Sequence, residues 1–117
     1  MTMEYPSQLD WGDSVIAAGV AILGQMKAIW PEKSEAELKK MLGVTPMLGR
    51  NFNGKIFDVS HAKHLVKFAN ENHLGLLAFW SAARDNGKCA GGAISPMCSS
   101  IAQGEFEFIK TFQGFKG

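Results

Sequence analysis

The chain has 117 residues, of which 46% are hydrophobic and 20% are charged, and its formal net charge is +1. So small a net charge offers little long-range attraction to nucleic acid or to an anionic membrane, so neither partner is expected. The longest apolar run, residues 15–24, is about half of the roughly 20 residues that a membrane span needs. We therefore expect no segment that crosses a bilayer.

Apolar residues at three- and four-residue spacing predict helices over residues 13–30 and 103–112, and a helix that starts at 57–60 and ends near residue 73. A further short helix is predicted over residues 34–41. Asp10 or Asp13 is the predicted cap of the first helix, and Pro31 ends it because the residue before a proline is disfavoured in helical geometry. Ser34 and Glu37 have the spacing of a capping box, which predicts the start of the second helix.

Two apolar stretches without helical period, residues 41–49 and 74–80, predict buried strands on either side of the third helix. A strand, helix and strand in this order predict a parallel pair covered on both faces, so the predicted fold class is α/β. Residues 81–99 are rich in Gly, Ser, Asn and Cys and predict a long loop. Even with a third strand at 1–5, the strands are too few to close a barrel.

Four blocks closely resemble the last quarter to third of bacterial family 18 glycoside hydrolases, the chitinases: MTMEY (1–5), LGVTPMLGRN (42–51), AFWSAARD (78–85) and CSSIAQ (98–103). Their order and spacing agree with the family over essentially the whole chain. The resemblance implies a partial (β/α)₈ TIM barrel, with residues 1–5, 42–47 and 74–80 in its sixth, seventh and eighth strands. Since such barrels need about 200 residues or more, we expect residues 1–117 to form the C-terminal fragment of one.

The family resemblance implies hydrolysis of β-1,4-linked N-acetylglucosamine polymers by substrate-assisted retention, with a Glu as the general acid. In the family this Glu ends an Asp-x-x-Asp-x-Asp-x-Glu motif, and the sequence contains no such motif. We therefore assign no catalytic residue, metal or cofactor, and expect at most weak binding of chitin or chitooligosaccharides. The alternative is a non-catalytic half-barrel that self-assembles through its strand edges or pairs with a separate N-terminal half.

The resemblance also implies a set of sugar-binding residues. Trp80 matches the aromatic residue on which the reacting sugar stacks in the family. From the sequence pattern alone, Trp80 could equally be an ordinary core residue at the end of a strand. The other candidates come from the sixth strand and from the end of the seventh: Met3, Glu4, Tyr5, Met47, Arg50 and Asn51. Arg50 is expected either to hydrogen-bond a sugar hydroxyl or to anchor its loop through a carboxylate. Arg84 and Asp85 are predicted to form an ion pair that fixes the loop after the eighth strand.

Cys89 and Cys98 match a cysteine pair of similar chitinases, which implies a disulfide within the long loop. Neither cysteine has a histidine at ligand spacing, so a zinc site is not expected. Because disulfides persist in oxidising compartments, the parent enzyme is expected to be secreted. The three histidines, His61, His64 and His73, are predicted to lie on an exposed helical face.

Overall fold

The computed structural model of the chain describes all 117 residues. Its helices are α1 (Trp11–Ile29), α2 (Glu35–Met41), α3 (Val59–Glu71) and α4 (Glu107–Phe112), and a 3-10 turn covers Ala82–Arg84. Four two-residue strands complete the fold: β1 (Gly43–Val44), β2 (Gly49–Arg50), β3 (Ile56–Phe57) and β4 (Leu76–Leu77). The prediction of a mixed α/β fold is therefore confirmed.

Local side chains start the first three helices. Asp10 caps α1, and the capping box of Ser34 and Glu37 is present at the start of α2. Asp58 caps α3, where its side chain accepts a hydrogen bond of 3.0 Å from the amide of His61. Each cap satisfies an amide group that has no partner within the helix. These three helix starts agree with the sequence pattern because the information that sets them is local.

The parallel pairing predicted for the two apolar segments is present. Gly43 lies opposite Leu76 and Val44 opposite Leu77. On the other side of β1, the amide of Thr2 donates a 2.9 Å hydrogen bond to the carbonyl oxygen of Thr45. The N-terminal segment therefore lies beside β1, but the third strand considered for residues 1–5 does not form, since this segment has no regular strand and bends at Glu4.

The hydrophobic core lies between the sheet and helices α1, α3 and α4. Trp11, Val15, Val44, Leu65 and Phe108 are all at least 98% buried in it. The molecule is thin, with extents of 48 × 29 × 19 Å and a radius of gyration of 14.6 Å, against about 13 Å for a compact chain of this length. The helices cover the face of the sheet that carries Val44, which belongs to the same core cluster as residues of α1, α3 and α4.

The prediction that both strand faces are covered is wrong. Leu76 of β4 is 57% exposed and lies over Gly43, on the side of the sheet away from the core. The regular strands are also shorter than predicted. Pro46 has no amide hydrogen to donate, so the pairing of the two segments reduces to two residues of ladder and an isolated bridge between Met47 and Trp80.

Two further features differ from the sequence prediction. β2 and β3 pair antiparallel as a small hairpin, whose turn is the predicted loop at 51–54. Helix α4 begins at Glu107 rather than near residue 103, because Phe106 has a left-handed backbone with φ 55° and no side chain caps the helix locally.

Helix α1 is long and apolar enough to cross a membrane by length and composition alone, a test that core helices of soluble proteins also pass. The absence of a membrane span therefore stays a prediction.

Candidate functional site

Trp80 lies where the second parallel segment ends. Its amide donates to the carbonyl of Pro46 and its carbonyl accepts from the amide of Leu48, both at 2.8 Å. The peptide bond between Trp80 and Ser81 is cis. The neighbouring segment thus fixes the Trp80 backbone on both sides, while the side chain is 57% exposed. Trp80 is therefore not a core residue, and the core role that the sequence pattern left open for it is wrong.

The indole of Trp80 borders a cleft of about 470 Å³, here called the main cleft. Its lining residues come from the ends of the parallel segments, the β2–β3 turn and the long loop: Met47, Phe52, Trp80, Arg84, Ile94, Ser95 and Pro96. The volume is within the roughly 300–1,000 Å³ typical of small-molecule sites. The mixture of aromatic and aliphatic surface with a few polar groups suits a ligand that has both apolar faces and hydroxyl groups.

A second cleft of about 260 Å³, the side cleft, shares Met47, Phe52 and Trp80 with the main cleft. Its other lining residues belong to the N-terminal segment: Met1, Met3 and Glu4. The fold therefore brings together four of the residues predicted for the sugar-binding floor, namely Met3, Glu4, Met47 and Trp80. Glu4 is exposed and supplies the carboxylate of the two clefts.

Arg84 is 1% exposed, and its hydrogen bonds hold the backbone on one side of the main cleft in place. Its Nε and Nη2 donate to the carbonyl of Leu48 at 3.2 and 2.8 Å, Nη2 also donates to the carbonyl of Arg50 at 2.9 Å, and Nη1 donates to the carbonyl of Ser95. Burial lowers the pKa of the Arg84 guanidinium. Arginine nevertheless stays charged at neutral pH, so these are charge-assisted hydrogen bonds.

The predicted ion pair between Arg84 and Asp85 is wrong, because neither side chain binds the other. Asp85 is fully buried, and its carboxylate accepts hydrogen bonds from the amides of Phe108 and Ile109 at 3.0 and 2.7 Å and from Nε2 of Gln103 at 2.8 Å. Asp85 thereby supplies from a distance the cap that α4 lacks. Both residues do fix the loop that follows the second apolar segment, residues 74–80, but each does so by hydrogen bonds to backbone groups.

The predicted disulfide between Cys89 and Cys98 is present, with its Cα atoms 6.1 Å apart. We call residues 89–98 the disulfide loop. Besides the covalent link, Asn86 Nδ2 donates to the carbonyl of Met97 at 2.9 Å, and Ser100 Oγ donates to the carbonyl of Ala93 at 2.7 Å. The part of this loop that borders the main cleft is therefore held at both ends.

Three predicted sugar-binding residues do not lie in either cleft. The ring of Tyr5 packs at a tilt of 43° against that of Trp11, with the ring centroids 4.8 Å apart, and its hydroxyl donates to the carbonyl of Ser14. Burial raises the pKa of this phenol. Asn51 is 2% exposed, and its side-chain NH2 group donates to the backbone carbonyls of Met47 and Gly49 at 3.1 and 3.0 Å. Neither side chain lines the two clefts, and their roles in sugar binding stay predictions.

Arg50 does not anchor its loop through a carboxylate, and its contact with a sugar hydroxyl stays a prediction. Its side chain does not line the clefts, and no salt bridge joins it to a carboxylate. Its contribution is made by the backbone, where the amide donates to the carbonyl of Ser99 at 2.9 Å and the carbonyl accepts from Arg84. Arg50 therefore joins the β2 strand to the end of the long loop.

The sequence patterns missed the cleft residues Phe52, Ile94, Ser95 and Pro96. Phe52 carried a signal, since an aromatic residue inside an Asn-x-Asn-Gly turn is unusual in a segment that is otherwise polar.

The prediction that His61 lies on an exposed helical face is wrong. This side chain is largely buried, its Nδ1 accepts from the amide of Asp58 and its Nε2 lies 3.1 Å from Oδ1 of Asp10. It therefore links the starts of α1 and α3.

Solved structures similar to this chain cover almost all of it. A catalytic-site mutant of active domain 2 of a thermostable chitinase from Pyrococcus furiosus, in complex with chito-oligosaccharides, matches 97% of this chain with a TM-score of 0.91 and 34% identity. The catalytic domain of a hyperthermophilic chitinase from the same organism matches 99% with a TM-score of 0.87 and 32% identity. The match covers 38% and 40% of those two chains.

Two curated proteins are each 37% identical to this chain over 75 residues, which is 63% of its length. They are Endochitinase 11 of Metarhizium anisopliae and a probable bifunctional chitinase/lysozyme of Escherichia coli (strain K12). The matched region is 14% of the first protein and 8% of the second. No family model matches the chain. The relatives come from three different organisms, so the similarity is not specific to bacterial proteins.

Proposed function

Because this chain corresponds in sequence and fold to part of a chitinase catalytic domain, we propose that residues 1–117 form the C-terminal strand-helix units of a family 18 (β/α)₈ barrel. Three observations support the barrel proposal. β1 and β4 are parallel neighbours with the N-terminal segment hydrogen-bonded beside β1, helices cover one face, and Leu76 leaves the other face open. In a barrel that second face points inward, where side chains from the other strands fill the interior.

The proposed contribution of these residues is the binding of an N-acetylglucosamine unit of chitin or a chitooligosaccharide on Trp80. The observation that carries the proposal is an indole that is 57% exposed although hydrogen bonds fix its backbone on both sides. A pyranose presents C–H groups on one face, and a flat aromatic ring offers them contact area at little entropic cost. Met47 closes the floor beside the ring, and Met3 and Glu4 border it from the N-terminal segment.

Hydrolysis by the family's route needs a general acid, and the acetamido group of the sugar serves as the nucleophile. The sequence contains no Asp-x-x-Asp-x-Asp-x-Glu motif, and Glu4 lies beside the Trp80 platform as the carboxylate of the side cleft. We therefore propose that chitin hydrolysis requires an acid outside these 117 residues. The 117-residue chain by itself binds chitooligosaccharides weakly and does not hydrolyse them.

A second candidate function is assembly, and the exposed inner face of the sheet favours it. Leu76 on this face is 57% exposed, and the edge of β4 carries no further strand. Proteins seldom leave an apolar face and an open strand edge uncovered. A second copy of this chain, or a polypeptide that supplies the remaining barrel strands, would cover both.

The disulfide between Cys89 and Cys98 supports the proposal that the parent enzyme is exported, since such bonds persist in oxidising compartments.

The test is a titration of the purified chain with chitotriose, followed by tryptophan fluorescence and calorimetry. We expect saturable binding that Trp80→Ala weakens by about tenfold, since loss of one stacked ring costs on the order of 1 kcal/mol or more. Leu9→Ala, an exposed apolar residue outside both clefts, is the matched control and leaves the affinity unchanged. Equal affinity for Trp80→Ala and the wild type would refute the platform.

Two further measurements on the same sample test the other parts of the proposal. Release of the chromophore from a chromogenic chitobioside by the chain alone would overturn the claim that the acid lies elsewhere. Sedimentation velocity separates the two candidate functions. A strictly monomeric chain that binds chitotriose supports the sugar-binding function and rules out self-assembly.

A further inference from the structure

Asn53 and Gly54 form the tip of the turn between β2 and β3, and both are exposed. The Asn53 side chain accepts a hydrogen bond of 3.0 Å at Oδ1 from the amide of Lys55, and its Nδ2 donates one of 3.1 Å to the carbonyl of Tyr5. Gly54 has φ 79°, and nothing lies within 4 Å of the position that a Cβ would occupy. The tip therefore holds a side-chain carboxamide next to a backbone nitrogen that no side chain shields.

A carboxamide that precedes glycine can react with its own backbone. The Gly54 nitrogen, after loss of its proton to a base in solution, is the nucleophile for Cγ of Asn53. The amide of Lys55 donates to Oδ1, where negative charge develops during the attack, so it stabilises that charge. The bond that holds the Gly54 amide, 3.1 Å to the carbonyl of Asn51, closes an exposed turn and opens readily to water.

Asn86 and Gly87 repeat the same pair of residues, but the fold holds them in place. Oδ1 of Asn86 accepts from the amide of Lys88 at 3.1 Å, as at Asn53, whereas Nδ2 donates to two backbone carbonyls. The Asn86 carbonyl accepts from both the amide and the hydroxyl of Ser99. The carbonyl oxygen of Gln103 lies 2.5 Å from the position of a Cβ on Gly87. The Asn86 pair therefore cannot rotate into the geometry of attack without breaking several hydrogen bonds.

We propose that Asn53 is a site of spontaneous deamidation in the folded chain. The Gly54 nitrogen bonds to Cγ of Asn53, the Cγ–Nδ2 bond breaks, and the nitrogen takes up protons from water and leaves as ammonia. The product of this step is a cyclic imide. Water then adds to either carbonyl carbon of the imide and opens the ring to aspartate or isoaspartate. The reaction replaces a neutral donor by a carboxylate that can only accept hydrogen bonds.

The modification removes the bond that joins this turn to the N-terminal segment. Nδ2 of Asn53 is the donor to the carbonyl of Tyr5, 48 residues earlier in the chain, and a carboxylate in its place repels that carbonyl oxygen. Met3 and Glu4 of the segment line the side cleft together with Phe52 of the turn. Deamidation of Asn53 therefore loosens the N-terminal segment beside the side cleft, whatever ligand binds there.

The first test follows both Asn-Gly pairs in one sample of the full chain, incubated at mildly alkaline pH and analysed by peptide mass spectrometry for a gain of about 1 Da. In the folded chain we expect Asn53 to react at least about tenfold faster than Asn86, since each additional hydrogen bond at Asn86 slows the reaction severalfold. In urea the two pairs are equally exposed, and the difference disappears. Equal rates in the folded chain, no gain at Asn53, or the same difference in urea would overturn the proposal.

The second test uses Asn53→Asp, which places the product side chain at the turn from the start. The NMR signal of the Met3 methyl group should shift, because the segment that carries Met3 has lost its bond to the turn. Asn70→Asp is the matched control, since Nδ2 of Asn70 donates at 2.9 Å to the distant carbonyl of Gly114 and lies outside both clefts. An unshifted Met3 signal in Asn53→Asp, or an equal shift in both variants, would refute the effect on the N-terminal segment.

Discussion

Replacing Asp85 by alanine removes a buried carboxylate that links two distant parts of the chain. Its oxygens accept hydrogen bonds from the amides of Phe108 and Ile109 in the first turn of α4 and from the side chain of Gln103. The side chain is fully buried, and α4 has no local capping side chain. In Asp85→Ala these donors lose their acceptor without gaining access to water.

The expected loss of stability follows from those contacts. A buried donor left without a partner costs about 1–3 kcal/mol, and two amides of α4 are left in this way. A carboxylate beside a helix N-terminus contributes about 0.3–1 kcal/mol more through the helix dipole. We expect Asp85→Ala to lower the free energy of unfolding by about 3–5 kcal/mol, with Phe108 and Phe112 of the core losing the helix that positions them.

Urea unfolding followed by circular dichroism measures the effect. Glu105→Ala is the matched control, because Glu105 is an exposed carboxylate near the same helix start whose partner Lys88 lies at 3.9 Å, and such a surface pair contributes less than about 1 kcal/mol. If Asp85→Ala does not fold, Asp85→Asn keeps one acceptor oxygen and is expected to lose about half as much. Amide exchange of Phe108 and Ile109 should accelerate in either variant. A change below about 1 kcal/mol in both would refute the role of Asp85 as a cap.

Two further stability predictions follow from contacts within the chain. Burial alone would raise the pKa of Asp58, but hydrogen bonds from Ser60 and from the amide of His61 outweigh it and lower the pKa. The stabilisation is therefore full above the ordinary Asp value and disappears as the pH falls through the lower folded value. Asp58→Ala should cost about 1 kcal/mol at pH 7 and flatten this pH dependence in urea unfolding; an unchanged slope would contradict it. Reducing the disulfide, or replacing Cys89 and Cys98 by serine, should cost about 2–3 kcal/mol, and an unchanged urea midpoint would contradict that estimate.

The sequence predicts those parts of the fold that depend on neighbours within one turn. Caps at Asp10, Ser34 and Asp58 set three helix starts correctly because the capping side chain and the capped amide are two or three residues apart. The start of α4 was missed for the opposite reason. Its cap comes from Asp85, which is more than twenty residues earlier in the chain, and no local pattern identifies such a partner.

The sequence also predicts a ligand-facing role better for some residues than for others. Trp80 and Met47 were predicted from the chitinase resemblance, and both border the clefts because they face each other across the parallel segments. Asn51 belongs to the same block, but it is buried and its side-chain NH2 group donates to the carbonyls of Met47 and Gly49. Phe52, its neighbour, points away from those bonds and is exposed. A motif therefore identifies the segment, whereas the hydrogen bonds within the turn decide which of its side chains is free to bind.

The same reasoning explains why Arg84 and Asp85 do not form the predicted ion pair. The 3-10 turn directs the two adjacent side chains toward different partners. Arg84 can only donate hydrogen bonds and reaches carbonyl groups left unpaired beside β2 and in the disulfide loop, whereas Asp85 can only accept and reaches the unpaired amides of α4. A mutual ion pair would leave both sets of buried backbone groups unsatisfied, which costs more than one salt bridge returns. The geometry of the main cleft therefore depends on Arg84 and the packing of α4 on Asp85, so substitution of Arg84 should lower both ligand affinity and stability, whereas substitution of Asp85 should lower stability.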